Sequence, residues 1–114
     1  MTRSGIMYQK SDIVVIPYPF TDLSSNKLRP VLMLSKPNSQ GDFLAVQITS
    51  KSGYDQAEEI KALDLMLGQL PKISYLRPDK LVTLNHALIK KRIGQLTPSA
   101  TQKFDQIICH QLNC

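Results

Sequence analysis

Apolar residues along this chain gather in short runs separated by polar, Gly- and Pro-containing stretches. "SDIVVIPYPF" at 11–20 carries four consecutive β-branched residues, Ile13 to Ile16, a strand signal that Pro17 and Pro19 bring to an end. "TDLSSNK" at 21–27 has the composition of a polar loop. "PVLMLS" at 30–35 reads as a second strand, and its lack of alternation predicts burial on both faces. After the turn cluster "KPNSQGD" comes "FLAVQITS" at 43–50, a third strand with Leu44, Val46 and Ile48 on one face.

The middle of the chain is ambiguous. In "DQAEEIKALDLMLGQL", Ile60, Leu63, Leu67 and Leu70 fall at helical spacing, yet "EIKALDL" also fits a strand followed by a turn, and Gly68 and Pro71 limit any helix. "KISYLRPDKLVTL" reads as a strand, an interruption at Pro78 and a second short strand; another strand lies near 91–96. Thr97 is a suitable N-cap with Pro98 at the first helical position. Phe104, Ile107, Ile108 and Leu112 then share one face, which predicts a terminal amphipathic helix packed on the sheet. Short strands plus one helix argue for a mainly β chain whose sheet is strongly bent or forms a partly open barrel.

At 114 residues the chain is expected to form one domain spanning 1–114, with its core at about 10–112. The formal charge of +5 favours polyanionic partners, nucleic acid first. Its distribution is uneven: 55–71 hold one basic and four acidic residues, whereas 72–103 hold seven basic residues against Asp79 alone. Cys109 and Cys114 lack CxxC spacing and have no partner elsewhere in the chain, so neither a disulfide framework nor a zinc site is implied. His86 and His110 are far apart in sequence, and no metal or other cofactor is expected. The N-terminal stretch has no apolar signal core, and no run reaches membrane-spanning length, so a reduced, cytoplasmic protein without a membrane partner is expected.

Two polar constellations stand out. Arg29 precedes Pro30 at the mouth of the second strand, and Thr49-Ser50 end the third. Proline fits the first position of a strand and biases its predecessor toward extended geometry, which aims Arg29. In "LRPD", Arg77 and Asp79 flank Pro78; residues two apart in an extended chain point to one side, so a guanidinium and a carboxylate can converge. The plain alternatives are a strand-entrance arginine, turn chemistry at Thr49-Ser50 and a surface ion pair worth roughly 0–1 kcal/mol. Together, however, these groups have the chemistry for cutting RNA without metal. RNA supplies its own 2′-OH nucleophile, and the protein needs a base, an acid and cationic donors for the phosphorane. No P-loop, dinucleotide-binding glycine pattern or Ser-His-Asp arrangement is present.

In order and spacing, "SDIVVIPYPFTD", "KLRPVLMLS", "VQITS", "YLRPDKLVTL" and "IGQLTPSATQKF" resemble the MazF/PemK family of bacterial type II toxins over about residues 10–108. The resemblance implies an SH3-like barrel of the plasmid-maintenance-toxin kind with a C-terminal helix, and strand and loop rather than a long helix in the middle. It implies a homodimeric, metal-independent endoribonuclease (an mRNA interferase) acting on single-stranded RNA, a cognate antitoxin partner, and DNA contact made through the antitoxin complex. The products would be a 2′,3′-cyclic phosphate and a 5′-OH.

By the same resemblance, Arg29 matches the family's active-site arginine before proline, and Thr49 and Ser50 its threonine-serine pair at the scissile phosphate. Arg77 and Asp79 match an R-x-D pair that some members use as acid and base. Arg29 and Arg77 are then expected as phosphate and transition-state ligands and Asp79 as the base, because an arginine base at neutral pH would contend with a pKa above about 12. Asn26, Lys27 and Lys80, with "KKR" at 90–92, are the candidates for contact with the RNA backbone. One departure concerns the loop after the first strand. Where some members place a histidine or glutamate, this chain has only Asp22, Ser24, Ser25, Asn26 and Lys27. Two alternatives compete: a non-catalytic module of the same barrel binding RNA or a peptide, and a gyrase-directed toxin sharing the fold.

Overall fold

Among the described residues, the apolar runs form seven antiparallel strands, followed by one α-helix. The computed structural model describes residues 7–17 and 27–114. Within these lie β1 (Asp12–Pro17), β2 (Leu28–Met33), β3 (Asp42–Thr49), β4 (Glu58–Ile60), β5 (Leu65–Gly68), β6 (Ser74–Asn85), β7 (Lys91–Leu96) and α1 (Pro98–Gln111). Strand order in the single sheet is β4-β6-β3-β2-β1-β7-β5. The two edge strands are consecutive in the chain, joined only by a 3-10 turn at Ala62–Asp64 and its flanks. The five links from Ile60 to Leu65 reach at most about 18 Å. Seven strands laid flat would separate those edges by about 29 Å. The sheet must therefore curl on itself.

Both faces of the central strands are buried, which explains why "VLM" in β2 shows no alternation. Ile13, Leu32, Val46, Ile48 and Leu76 pack with Ala100, Phe104 and Ile108 of α1. Val14, Ile16, Val31, Met33, Phe43 and Ala45 form the core of the other face. Leu44 was expected beside Val46 and Ile48 but is 51% exposed. The helix starts as predicted: Thr97 Oγ1 accepts from the Ala100 amide at 3.0 Å, with Pro98 at the first position.

Four further expectations are corrected. The helical spacing at Ile60, Leu63 and Leu67 makes no face, since Ile60 is buried in β4 while Leu63 and Leu67 are exposed. Pro78 does not divide β6, which runs unbroken through it. Leu112 does not join the packed face of α1, because the helix ends at Gln111. Finally, Cys109 and Cys114 form a disulfide with each other. Asn113 takes a left-handed conformation (φ 61°), its amide donates to His110 O, and the Cys114 amide donates to Cys109 O at 3.0 Å. This helix-ending motif folds the chain back and sets the two Cα atoms 5.1 Å apart.

The acidic segment also gains a partial explanation. Asp64 is buried; its carboxylate accepts from the Lys61 amide at 2.8 Å and from Lys103 Nζ of α1 at 3.1 Å, tying the β4–β5 turn to the helix. Asp12, fully buried, accepts from the Gln9 amide at 3.0 Å and Gln95 Nε2 at 2.9 Å, with Arg92 at 3.5 Å. One member of the basic run 90–92 thus serves the fold, while Lys90 and Lys91 are exposed.

Candidate active site

Strand register builds the first half of the site. β2 pairs with β3 through Val31↔Gln47, Leu32↔Val46 and Met33↔Ala45. Continued two residues beyond Val31, that register sets Arg29 across from Thr49. Both line a cavity of about 230 Å³ with Ser50, Val15, Pro30, Ile48 and Ile93, closed on one side by Leu70, Pro71 and Lys72. Pro30 pairs with Val15 of β1, and Arg29 with Ile16, so the arginine enters from a paired strand rather than a loop. Thr49 Oγ1 accepts from the Lys51 amide at 3.1 Å, a turn contact that orients the hydroxyl and leaves its proton to donate. Lys72, absent from the sequence reading, adds a second cation to the wall; a lone lysine after proline carries no signal of its own.

A bulge builds the second half. Along most of their length β3 and β6 pair in one register, from Asp42↔Asn85 to Val46↔Leu81, and then resume at Ile48↔Leu76 and Thr49↔Tyr75. Gln47 alone on β3 therefore spans Arg77, Pro78, Asp79 and Lys80 on β6. Bulges leave residues unpaired and re-aim their side chains, and they are places where a strand tolerates proline. Here the bulge turns Arg77 and Asp79 toward each other. Arg77 Nε donates to Asp79 Oδ1 at 3.3 Å and its Nη2 to Oδ2 at 2.8 Å. The Arg77 guanidinium carbon also lies 3.7 Å from the centre of the Tyr54 ring.

Burial pushes the Asp79 carboxyl up, but the hydrogen bond and charge of Arg77, a backbone amide and the charge of Lys80 outweigh it. Its pKa is held below the ordinary value of 3.8. Asp79 is thus ionised throughout the neutral range, the state a base requires, though its proton affinity is reduced.

Arg29, Thr49 and Ser50 therefore meet in one cavity. Arg77 and Asp79 meet each other on the neighbouring strand but are not among the residues lining that cavity. Lys27 and Lys80 are exposed. Asn26 lies outside the described residues, as do Asp22, Ser24 and Ser25. Tyr54 was also missed; an aromatic residue after Gly53 in a polar loop is the only hint of it. Among the described residues, no group of three or more His, Cys, Asp or Glu side chains could hold a metal ion, and no helix is long and apolar enough to cross a membrane.

Residues 9–112 match the family model described as PemK-like, MazF-like toxin of type II toxin-antitoxin system. The chain belongs to this family. No curated protein matches it in sequence. Among solved structures, the toxin is similar to a crystal structure of MazF from Deinococcus radiodurans, with a TM-score of 0.74 and 16% identity over 96% of this chain and 100% of that one. It is also similar to a mycobacterial endoribonuclease in complex with its cognate antitoxin (TM-score 0.69, 18% identity, 94% of each chain). A third likeness is to Mycobacterium tuberculosis toxin MazF-mt6 (TM-score 0.67, 19% identity, 90% of this chain and 96% of that one). At these identities the likeness is one of fold: a mainly β, curled sheet with a C-terminal helix.

Proposed function

We propose that this toxin is a metal-independent, sequence-specific endoribonuclease that cuts single-stranded RNA, works as a homodimer and is neutralised by a cognate antitoxin. The observation that carries the reading is the convergence of Arg29, Thr49 and Ser50 on one cavity, with the Arg77–Asp79 pair on the adjacent strand. Family membership supports it, as do structural neighbours described as endoribonucleases, one in complex with its antitoxin.

In this reading a scissile phosphate enters the cavity against the Arg29 guanidinium and the Thr49 and Ser50 hydroxyls. These donors stabilise the charge that builds on its oxygens. The 2′-OH of the upstream ribose gives its proton to the Asp79 carboxylate, which exchanges one of its Arg77 contacts for that hydroxyl. The 2′-oxygen bonds to phosphorus and the P–O5′ bond breaks. As that bond breaks, the Arg77 guanidinium gives a proton to the departing oxygen and is reprotonated by the Asp79 carboxyl that holds the 2′-OH proton, so the products are a 2′,3′-cyclic phosphate and a 5′-OH. Lys27 and Lys80 contribute electrostatic attraction for the RNA backbone, and Asn26 an amide able to hydrogen-bond the RNA; for single strands each phosphate neutralised by a lysine steepens the salt dependence by a slope of about 0.7.

Incubating the purified protein with long single-stranded RNA in EDTA and mapping the ends tests the proposal. Discrete cuts with cyclic-phosphate and 5′-OH ends, lost in Arg29→Ala, are expected. RNA left intact across several sequences would overturn the nuclease and leave a binding module.

A further inference from the structure

The loop between β3 and β4 leaves the sheet directly after Thr49, at the cavity, and returns at Glu58 beside β6. Midway, Gly53 takes a left-handed conformation (φ +98°), after which Tyr54 stands half buried. Its ring belongs to neither hydrophobic cluster of the fold. What it meets instead is cationic: the Arg77 guanidinium carbon at 3.7 Å from the ring centre and Lys51 Nζ at 5.8 Å. A separation of 3.7 Å is a stack, with the planar guanidinium lying on the π-face.

Asp79 and Tyr54 restrain Arg77 in different ways. The carboxylate grips the guanidinium by one edge, through Nε at 3.3 Å and Nη2 at 2.8 Å. A planar fork held only by an edge can still hinge about it. The ring blocks that hinge by covering a face. In keeping with this double restraint, the Arg77 side chain is 12% exposed although its partner Asp79 is 40% exposed. The loop carrying the ring is continuous with Thr49 and Ser50, so Tyr54 also links the two halves of the site mechanically.

We propose that Tyr54 is a positioning residue, whose ring sets the plane of the Arg77 guanidinium and thereby the direction in which Arg77 and Asp79 meet an RNA phosphate. The catalytic consequence rests on the endoribonuclease reading, whereas the contact itself does not. Because the ring face does the work, the tyrosine hydroxyl is dispensable, and an aliphatic side chain of similar bulk cannot substitute.

The test compares Tyr54→Phe, Tyr54→Leu and Tyr54→Ala in the full chain by two readouts. The first is side-chain NMR: the Arg77 protons should carry an upfield ring-current shift in the natural protein and in Tyr54→Phe, and lose it in Tyr54→Leu. Release of the guanidinium should also let the Asp79 carboxyl titrate closer to its ordinary value, with the charge of Lys80 still lowering it. The second is cleavage: Tyr54→Leu should lower kcat by about 10- to 100-fold, the scale of a misplaced catalytic group, with KM for RNA changed less than about threefold. Tyr54→Phe should restore the rate. If Tyr54→Leu keeps the natural Arg77 shifts or the natural kcat, Tyr54 does not position Arg77. If it raises KM alone, the ring binds RNA directly and the proposal is overturned. Should the natural protein cut no RNA, the endoribonuclease reading fails, while the NMR comparison still decides whether the ring holds Arg77. Should Tyr54→Ala not fold, Tyr54→Leu, which keeps apolar bulk, carries both readouts.

Discussion

The two halves of the candidate site are held by different means. Arg29 and Thr49 project from strands held in ladders at their own positions, Arg29 paired with Ile16 of β1 and Thr49 with Tyr75 of β6. Arg77 and Asp79 project from a bulge facing Gln47, where the ladder between β3 and β6 is interrupted, and they are fixed by each other and by Tyr54. Side chains on a paired strand keep their place when a neighbour is removed. Side chains in a bulge depend on one another, so losing one displaces the rest.

The largest expected effects set a baseline for this contrast. Arg29→Ala and Asp79→Ala should each lower single-turnover cleavage at least about 100-fold, the scale of losing an oxyanion donor or a general base. Near-normal cleavage by either variant removes that residue from the mechanism. Combining substitutions then separates the two halves. Arg77→Ala added to Asp79→Ala should cost far less than the product of the single effects, because the second change finds its partner already gone. Arg29→Ala added to Arg77→Ala should come close to the product. A multiplicative Arg77/Asp79 pair would show that the bulge residues act independently.

Acidity bears on the bulge alone. Because the pKa of Asp79 is held below 3.8 in the folded protein, the acid limb of kcat/KM should lie below that value. Arg77→Ala should move it upward by removing the hydrogen bond and the charge that lower it. The sign for stability is the same. A carboxyl whose pKa is lower folded than unfolded stabilises the fold above its unfolded value, and that contribution is lost as pH falls through the folded value. An acid limb that stays put in Arg77→Ala would detach Asp79 from the base role.

Stability draws the same line. Gly68 has φ +75°, and a Cβ there would lie 2.1 Å from the Ile93 carbonyl oxygen. Gly68→Ala should destabilise by about 1–3 kcal/mol through strain at the β5–β7 edge. Gly53 also has φ +98° but open space around it, so Gly53→Ala should show the backbone penalty alone, roughly 1 kcal/mol. Chemical denaturation measures both, and equal losses would refute the clash at Gly68. The smallest effects belong to the exposed lysines. Lys27→Ala and Lys80→Ala should each reduce the salt slope of RNA binding by less than about one. An unchanged slope would take that lysine off the RNA path.

Local patterns announced much of this molecule. The β-branched run at 13–16, the unalternating "VLM" of β2 and the Thr97-Pro98 helix start all formed as their chemistry predicts, because propensity, capping and burial there agree. Arg29, Thr49 and Ser50 were readable as candidates since each ends a recognisable strand. Other features depend on partners distant in sequence. Pro78 reads locally as a strand breaker, yet β6 continues through it because the surplus residues are taken up in a bulge opposite Gln47. Asp64 reads as one more charge in an acidic insert, yet it is buried because Lys103 of the helix lies beside it. Tyr54 has no local signature, and only the return of its loop over β6 gives it Arg77. Sequence alone thus settled the first three strands, the strand near 91–96, the terminal helix and which residue types could handle a phosphate, since those follow from short-range sterics and hydrophobic pattern. It left 55–70 open between helix and strand. Tertiary structure decided which charges are buried, where the register slips and which groups face one another, because those depend on the curl that brings both edges of one sheet together.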